Sequence, residues 1–237
     1  MDAHFSEASL RFLRGLKRNN DRDWFNERKS IYEQELKLPM LAVINDVNEA
    51  LLRFAPEHVR SPAKTMMRIY RDIRFSKDKR PYKTHVSAWW ARSGMEKTSG
   101  GGFYVDVAGD QVQIAAGVFM PERAQLTAIR THITTHHARL RKELQARQMR
   151  TLGLEPLRGS PLTRPPKGFA GPAEAMDLLL CREWGVSGTF PVGMALSPEF
   201  ARDVVLRFKR AAALVALLNE PLAPQKKSSS FLLMPLR

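Results

Sequence analysis

Arg68, Arg71, Arg74, Lys79 and Lys83 recur within eighteen residues, with Asp72, Asp78, Tyr82 and His85 set among them. Guanidinium groups present planar, two-pronged donors that match phosphate and carboxylate, and lysines add mobile point charges. Aspartates in such company orient arginines, position a cation or accept a proton, and a histidine or tyrosine can relay one. The mixture suits recognition of an anion. Arg68, Arg71, Arg74, Lys79 and Lys83 would be its contacts, and Asp72, Tyr82 and His85 the orienting or proton-handling groups. Over the wider run 64–92, nine basic residues stand against two aspartates, a surplus of seven that is half of the chain's +14. On charge alone the same residues could pair across an exposed sheet face, with 76–83 as a solvated turn, since surface ion pairs are common.

Extended backbone would gather these side chains on one surface. Between 66 and 75, Met67, Ile69, Ile73 and Phe75 alternate with Arg68, Tyr70, Asp72 and Arg74, which predicts a strand with one apolar and one polar face. Val86, Ala88 and Trp90 alternate with His85, Ser87 and Trp89, so the two tryptophans cannot share a face. Phe103, Val105 and Val107 alternate with Tyr104 and Asp106, and Val112, Ile114, Ala116 and Val118 follow the turn signal Ala108-Gly109-Asp110. The pattern predicts four strands in series as an antiparallel meander. Its polar face would collect Arg68, Tyr70, Asp72, Arg74 and His85, then Tyr104, Asp106 and Gln113, with 76–83 overhanging one end.

Helices flank this region. Phe5, Leu10, Phe12, Leu13 and Leu16 follow helical spacing behind a Ser6 cap, and Asn20 or Asp21 can cap a second helix bearing Trp24, Phe25, Ile31 and Tyr32. Pro39 suits a first helical turn ahead of Met40, Ile44, Val47, Leu51 and Leu52. Pro121 precedes a long helix to about Arg150, and Ser197-Pro198-Glu199 begins another that ends near Asn219. Between them, 155–172 holds five prolines and three glycines, too broken for regular structure, followed by a short helix near 173–181. Arg164 and Lys167 would approach the anion from this proline-rich segment.

Composition sets bounds. At 237 residues, with 43% hydrophobic and 26% charged residues, the chain is long enough and ordinary enough to fold around one core. A +14 charge favours nucleic acid, phosphorylated metabolites or acidic surfaces as partners, or reflects general basicity. Cys181, the single cysteine, excludes an internal disulfide and a cysteine-based zinc site. The first residues carry neither a basic nor an apolar stretch, and no apolar run reaches the roughly 18 residues a membrane span needs, so a cytoplasmic protein without a membrane partner is expected. His132 and His136 lie four apart on a helix but lack the glutamate of the zincin pattern, and are read as a solvated face. No metal site and no cofactor is assigned.

The run Arg68-Ile69-Tyr70-Arg71-Asp72-Ile73-Arg74-Phe75, continuing through Asp78-Lys79, Pro81-Tyr82-Lys83 and His85, resembles the signature of a bacterial family catalogued as domain of unknown function 2461. Asn19-Asn20-Asp21-Arg22-Asp23-Trp24-Phe25 is similar to its N-terminal motif, Gly102-Phe103-Tyr104 to its next strand, and Arg164-Pro165-Pro166-Lys167-Gly168-Phe169 to its later basic-proline segment. The resemblance spans about 5–219. It implies a single α+β domain and, as the family has no established activity, carries over no catalytic role. Where relatives tend to have His-Pro, this chain has Gly171-Pro172.

The sequence therefore predicts one α+β domain over 1–220, with helices on one face of an antiparallel sheet of about four to six strands, and a tail over 221–237. An anionic small molecule is the expected partner. Sequence-tolerant binding of nucleic acid, with Trp89 or Tyr104 stacking on bases, and an enzyme using Asp72 and His85 are the alternatives.

Overall fold

The structure, a computed structural model, describes residues 3–95, 100–157, 159, 161–169 and 171–222. The part of the expected tail over 223–237 lies outside the described residues. The fold is a single α+β domain.

Helix α1 (Glu7–Arg18) starts where Ser6 accepts the Ser9 backbone N–H at 3.2 Å, and Ser9 answers by accepting the Ser6 N–H. Asp21 caps α2 (Arg22–Glu27) through the Trp24 N–H at 2.9 Å. Pro39 does not open a new helix. Helix α3 (Lys29–Tyr32) runs through a π-helical turn (Glu33–Lys37) directly into α4 (Leu38–Leu51). A proline this far into a helix removes a donor from the carbonyl four residues back. That carbonyl belongs to Glu35, and the buried Ser9 hydroxyl donates to it at 2.6 Å. The proline is tolerated because α1 supplies the missing donor.

After a short helix α5 (Pro62–Thr65) come strands β1 (His85–Ala91), β2 (Gly102–Ala108) and β3 (Gln111–Val118), then helices α6 (Arg123–Leu144) and α7 (Arg147–Thr151). A two-residue strand β4 (Glu155–Pro156), a short helix α8 (Met176–Leu179), strand β5 (Trp184–Pro191) and helix α9 (Phe200–Asn219) complete the order. The sheet is antiparallel throughout, in the order β1-β2-β3-β5-β4. Its period-two pattern sends Val86, Ala88, Trp90, Phe103, Val105, Ile114, Ala116 and Val186 to one face. There Trp90 meets Phe208 of α9 edge-on at 5.2 Å and donates its indole N–H to Asn48 of α4 at 3.1 Å. All eight of these side chains are buried.

Two sequence expectations are corrected. Residues 66–75 do not form a strand. They make isolated bridges, Met66 to Ala88 and Tyr70 to Tyr82, beside the outer edge of β1. The partner segment spends six residues between those bridges where this one spends four, so the ladder bulges. It ends at Asp72 because that carboxylate takes the Arg74 N–H at 3.3 Å, and Asp78 likewise takes the Arg80 N–H at 3.1 Å, turning the backbone into a loop. The sheet's missing member is β5, which pairs with β3. Its alternating Trp184, Val186 and Phe190 are interrupted by Gly185 and Gly188, which weaken the strand signal.

Gly185 and Gly117 face each other where β3 and β5 approach most closely. Gly117 has φ of +145°, and a Cβ there would lie 2.2 Å from the Trp184 carbonyl oxygen. Gly117→Ala is expected to cost ~3 kcal/mol or more of unfolding free energy, measured by urea denaturation, because strain and clash add at one position.

Candidate functional site

A cleft of about 790 Å³ opens along the outer edge of β1. Its cationic lining comes from Arg60 and Lys64 around α5, from Arg68 and Arg71 on the bridged segment, and from Lys83 just ahead of β1. His85 and Trp89 of β1, Asp72, and the methionines Met66, Met67 and Met120 complete most of the wall. The methionines give the site an adaptable apolar side opposite its charges.

Residues 72–80 form a loop in which both aspartates are gripped by arginines. Arg74 grips Asp72 with two nitrogens, Nε to Oδ1 at 3.0 Å and Nη2 to Oδ2 at 2.7 Å. That grip holds the Asp72 carboxyl down at about 2. Asp78 is shared by Arg80, Nη2 at 2.7 Å, and Arg71, Nη1 at 2.8 Å, and its pKa is well below the usual carboxylate range for the same reason. Lys79 donates to the Ile73 carbonyl at 3.1 Å, closing the loop. The cleft cations differ: among the described residues, Arg60, Lys64, Arg68 and Lys83 have no carboxylate within ion-pair distance.

Tyr82 holds the loop's exit. Its ring is buried and stacks on Phe25 of α2 at 4.1 Å and 16°. Asn20 clamps its backbone from both sides, Nδ2 donating to the Tyr82 carbonyl and Oδ1 accepting the Tyr82 N–H, each at 3.0 Å. The next residue, Lys83, donates its N–H to the Ile69 carbonyl at 2.8 Å. The N-terminal helices therefore fix where Lys83 leaves the backbone.

Of the residues expected from sequence, Arg68, Arg71, Asp72, Lys83 and His85 come together in the cleft. Arg74 and Lys79 do not line it; they close the loop on itself. Tyr82 faces the core beside Phe25. Arg164 and Lys167 lie in the segment after β4, the strand at the edge opposite β1, and do not line the cleft. Trp89 is also buried, on the face opposite Trp90, under an edge contact from Phe119 at 5.6 Å and over Gly102, where any Cβ would collide with the indole. The site also uses Arg60, which lies just outside the dense basic run. Its only sequence signal is its place, beside the helix-starting Ser61-Pro62.

Behind the cleft wall, the polar face of the sheet buries charge. Asp106 of β2 sits opposite Ser87 of β1, and both are almost fully buried. Burial pushes the Asp106 carboxyl up to about 6, against the opposing pull of the Tyr104 hydroxyl bonded to it and of Lys83 nearby. The Tyr104 hydroxyl is pushed up by burial and by Asp106. Burial, then the Lys83 charge, pull His85 down to about 4, so it is neutral at pH 7. Lys83 is lowered by burial and by Arg68. Perturbed groups gathered at a cleft mark functional chemistry more often than surface charge does.

The model of a family described as conserved hypothetical protein, DUF2461, matches residues 8–216, most of the chain. This is a DUF2461 protein. No curated protein and no solved structure gives a significant match. Among the described residues of the DUF2461 chain, no three His, Cys, Asp or Glu side chains group to hold a metal ion, and no helix is long and apolar enough to cross a membrane. His132 and His136 stack ring on ring at 4.0 Å, with His132 facing Glu220 at 3.2 Å.

Two measurements check these assignments. Asp106 is raised above its unfolded value, so its stabilising effect is complete below about pH 4 and fades as pH rises through 6. The unfolding free energy of the wild type minus that of Asp106→Asn should fall between pH 4 and 7 by about 3 kcal/mol. Tyr82→Phe should leave stability within about 1 kcal/mol, since the ring does the packing, whereas Tyr82→Ala should cost ~3–5 kcal/mol in the same denaturation assay.

Proposed function

We propose that this DUF2461 protein binds a small anion, phosphate- or carboxylate-bearing, in the cleft along β1. The observation that carries the proposal is the division of charge. Arg71 and Arg80 share Asp78 and Arg74 holds Asp72, whereas Arg60, Lys64, Arg68 and Lys83 line one cleft without an ion-pair partner among the described residues. Gathering like charges is unfavourable, and two of the four are only partly exposed, where water screens them less. An anion seated among them relieves that repulsion and gains charge-assisted hydrogen bonds. The cleft's volume is in the range of small-molecule sites, and its methionine side suits an apolar portion of such a ligand.

A second reading, sequence-tolerant binding of single-stranded nucleic acid, is favoured by one feature. Phe75 is 95% exposed at the tip of the basic loop, with the Arg74 guanidinium 5.8 Å above its ring, an arrangement open to base stacking.

Calorimetric titration with pyrophosphate and with a dicarboxylate separates the two. Arg68→Ala with Lys64→Ala should weaken binding by about tenfold or more, since two charge-assisted contacts are lost together. Arg74→Ala with Lys79→Ala should leave it within about twofold, because those side chains serve the loop. Equal losses from both pairs, or no anion bound, would overturn the proposal. Strong binding of unrelated oligonucleotides, lost steeply with salt and on Phe75→Ala, would favour the second reading.

A further inference from the structure

We propose that Lys83 is a nucleophilic amine, forming an imine with a carbonyl group on an anion held in this cleft. The inference rests on the anion-binding proposal and adds a reaction to it. Four observations converge on Lys83. It lines the cleft, half-sheltered from water, in a wall shared with Arg68 and His85. Its ammonium has no carboxylate or carbonyl partner among the described residues, whereas Lys17, Lys37 and Lys79 are bonded to Asp110, Glu33 and the Ile73 carbonyl. Its backbone is anchored by the Asn20 clamp on Tyr82 and the bond to Ile69. A cation, Arg68, stands beside it, and partial burial together with a neighbouring cation favours the uncharged amine, the form that attacks carbonyls.

The step balances without an oxidant. The lone pair of the neutral amine attacks the carbonyl carbon, the C–N bond forms and the carbonyl π bond breaks, giving a carbinolamine. The nitrogen then loses a proton and the oxygen gains one, water departs, and an imine remains. Amine and carbonyl compound become imine and water. His85, neutral at pH 7 and in the same cleft wall, offers the carbinolamine a hydrogen bond, while the protons exchange with water. Asp106 and Tyr104 do not line the cleft. Burial and Arg68 outweigh the opposing pull of the Asp106 carboxylate on the Lys83 ammonium.

The ligand class follows from the lining. The carbonyl compound must carry an anionic group for Arg68, Arg60 and Lys64, which describes a 2-oxo acid or a phosphorylated aldehyde or ketone. Neutral aldehydes would lack the contacts that hold the carbonyl beside the amine.

The test uses the intact chain with glyoxylate and, as a neutral comparator, glycolaldehyde, each with cyanoborohydride at pH 7 to reduce any imine. Adducts are then located by peptide mass spectrometry. Glyoxylate should label Lys83 at least about tenfold faster than exposed lysines such as Lys17, and glycolaldehyde should show no such preference. Arg68→Ala should bring Lys83 labelling down to the rate of the exposed lysines. Lys83→Arg should abolish the fast adduct. Labelling of Lys83 no faster than Lys17, with glyoxylate shown by calorimetry to occupy the cleft, would overturn the imine and leave anion binding standing. Absence of anion binding altogether would remove both proposals.

Discussion

The site depends on one anchoring interaction, the capture of Tyr82 by the N-terminal helices. The Phe25 ring covers its face and the Asn20 side chain satisfies both of its backbone groups. An amide that donates and accepts across 62 residues of sequence does what a strand partner would do. It fixes the chain at the point where the basic loop becomes β1. Pro81, immediately before, removes a donor and stiffens the same junction. Without this anchor the bulged pairing of 66–71 beside 81–88 has few bonds of its own, among them Met67 N–H to the Ser87 carbonyl and Arg71 N–H to the Pro81 carbonyl. Lys83 and His85 face the cleft because the residue before them cannot turn.

From that anchor follows the sorting of charge. The two aspartates of the loop each close a backbone turn and bind arginine at the same time, so they are committed to local structure. Both are substantially exposed, and ion pairs of that kind add little stability. Their effect is geometric, for they hold Arg74 and Arg80 in the loop and, among the described residues, leave Arg60, Lys64, Arg68 and Lys83 without an ion-pair partner. A sequence with more carboxylates here would have a quieter surface and no electrostatic reason to bind an anion.

Much of this was legible beforehand, and the parts that were not share a cause. Ser6 as a cap, the stripe of α9 and the alternation of β1 to β3 are local patterns, each set by residues within one element. The same alternation misled at 66–75, because a two-residue periodicity says what a strand would bury and nothing of whether neighbouring aspartates take the backbone donors first. It also hid β5, where glycines required by a close strand approach diluted the signal. Tyr82 looked like a proton-handling group because its neighbours in sequence are Pro81 and Lys83. Its neighbours in space are Phe25 and Tyr70, and only the fold brings those together. Arg74 and Lys79 were grouped with the cleft by charge, although their partners, Asp72 and the Ile73 carbonyl, lie two and six residues away in sequence.

The buried carboxyl of Asp106 gives the arrangement its remaining logic. A carboxylate inside a sheet costs several kcal/mol unless paired, and a well-placed lysine ion pair would be the ordinary remedy. Here Lys83 is near enough to act on Asp106 electrostatically but makes no ion pair with it, and the carboxyl bonds a tyrosine hydroxyl instead. Each group is therefore held away from its usual charge: the carboxyl toward its protonated form, the amine toward its neutral one. A fold selected for stability alone would close that gap by a small side-chain movement or replace the pair with apolar residues. Burial here raises the pKa of the acid and lowers that of the amine, at a cost in stability. That combination is the physical ground on which the reaction proposed for this edge of the sheet rests.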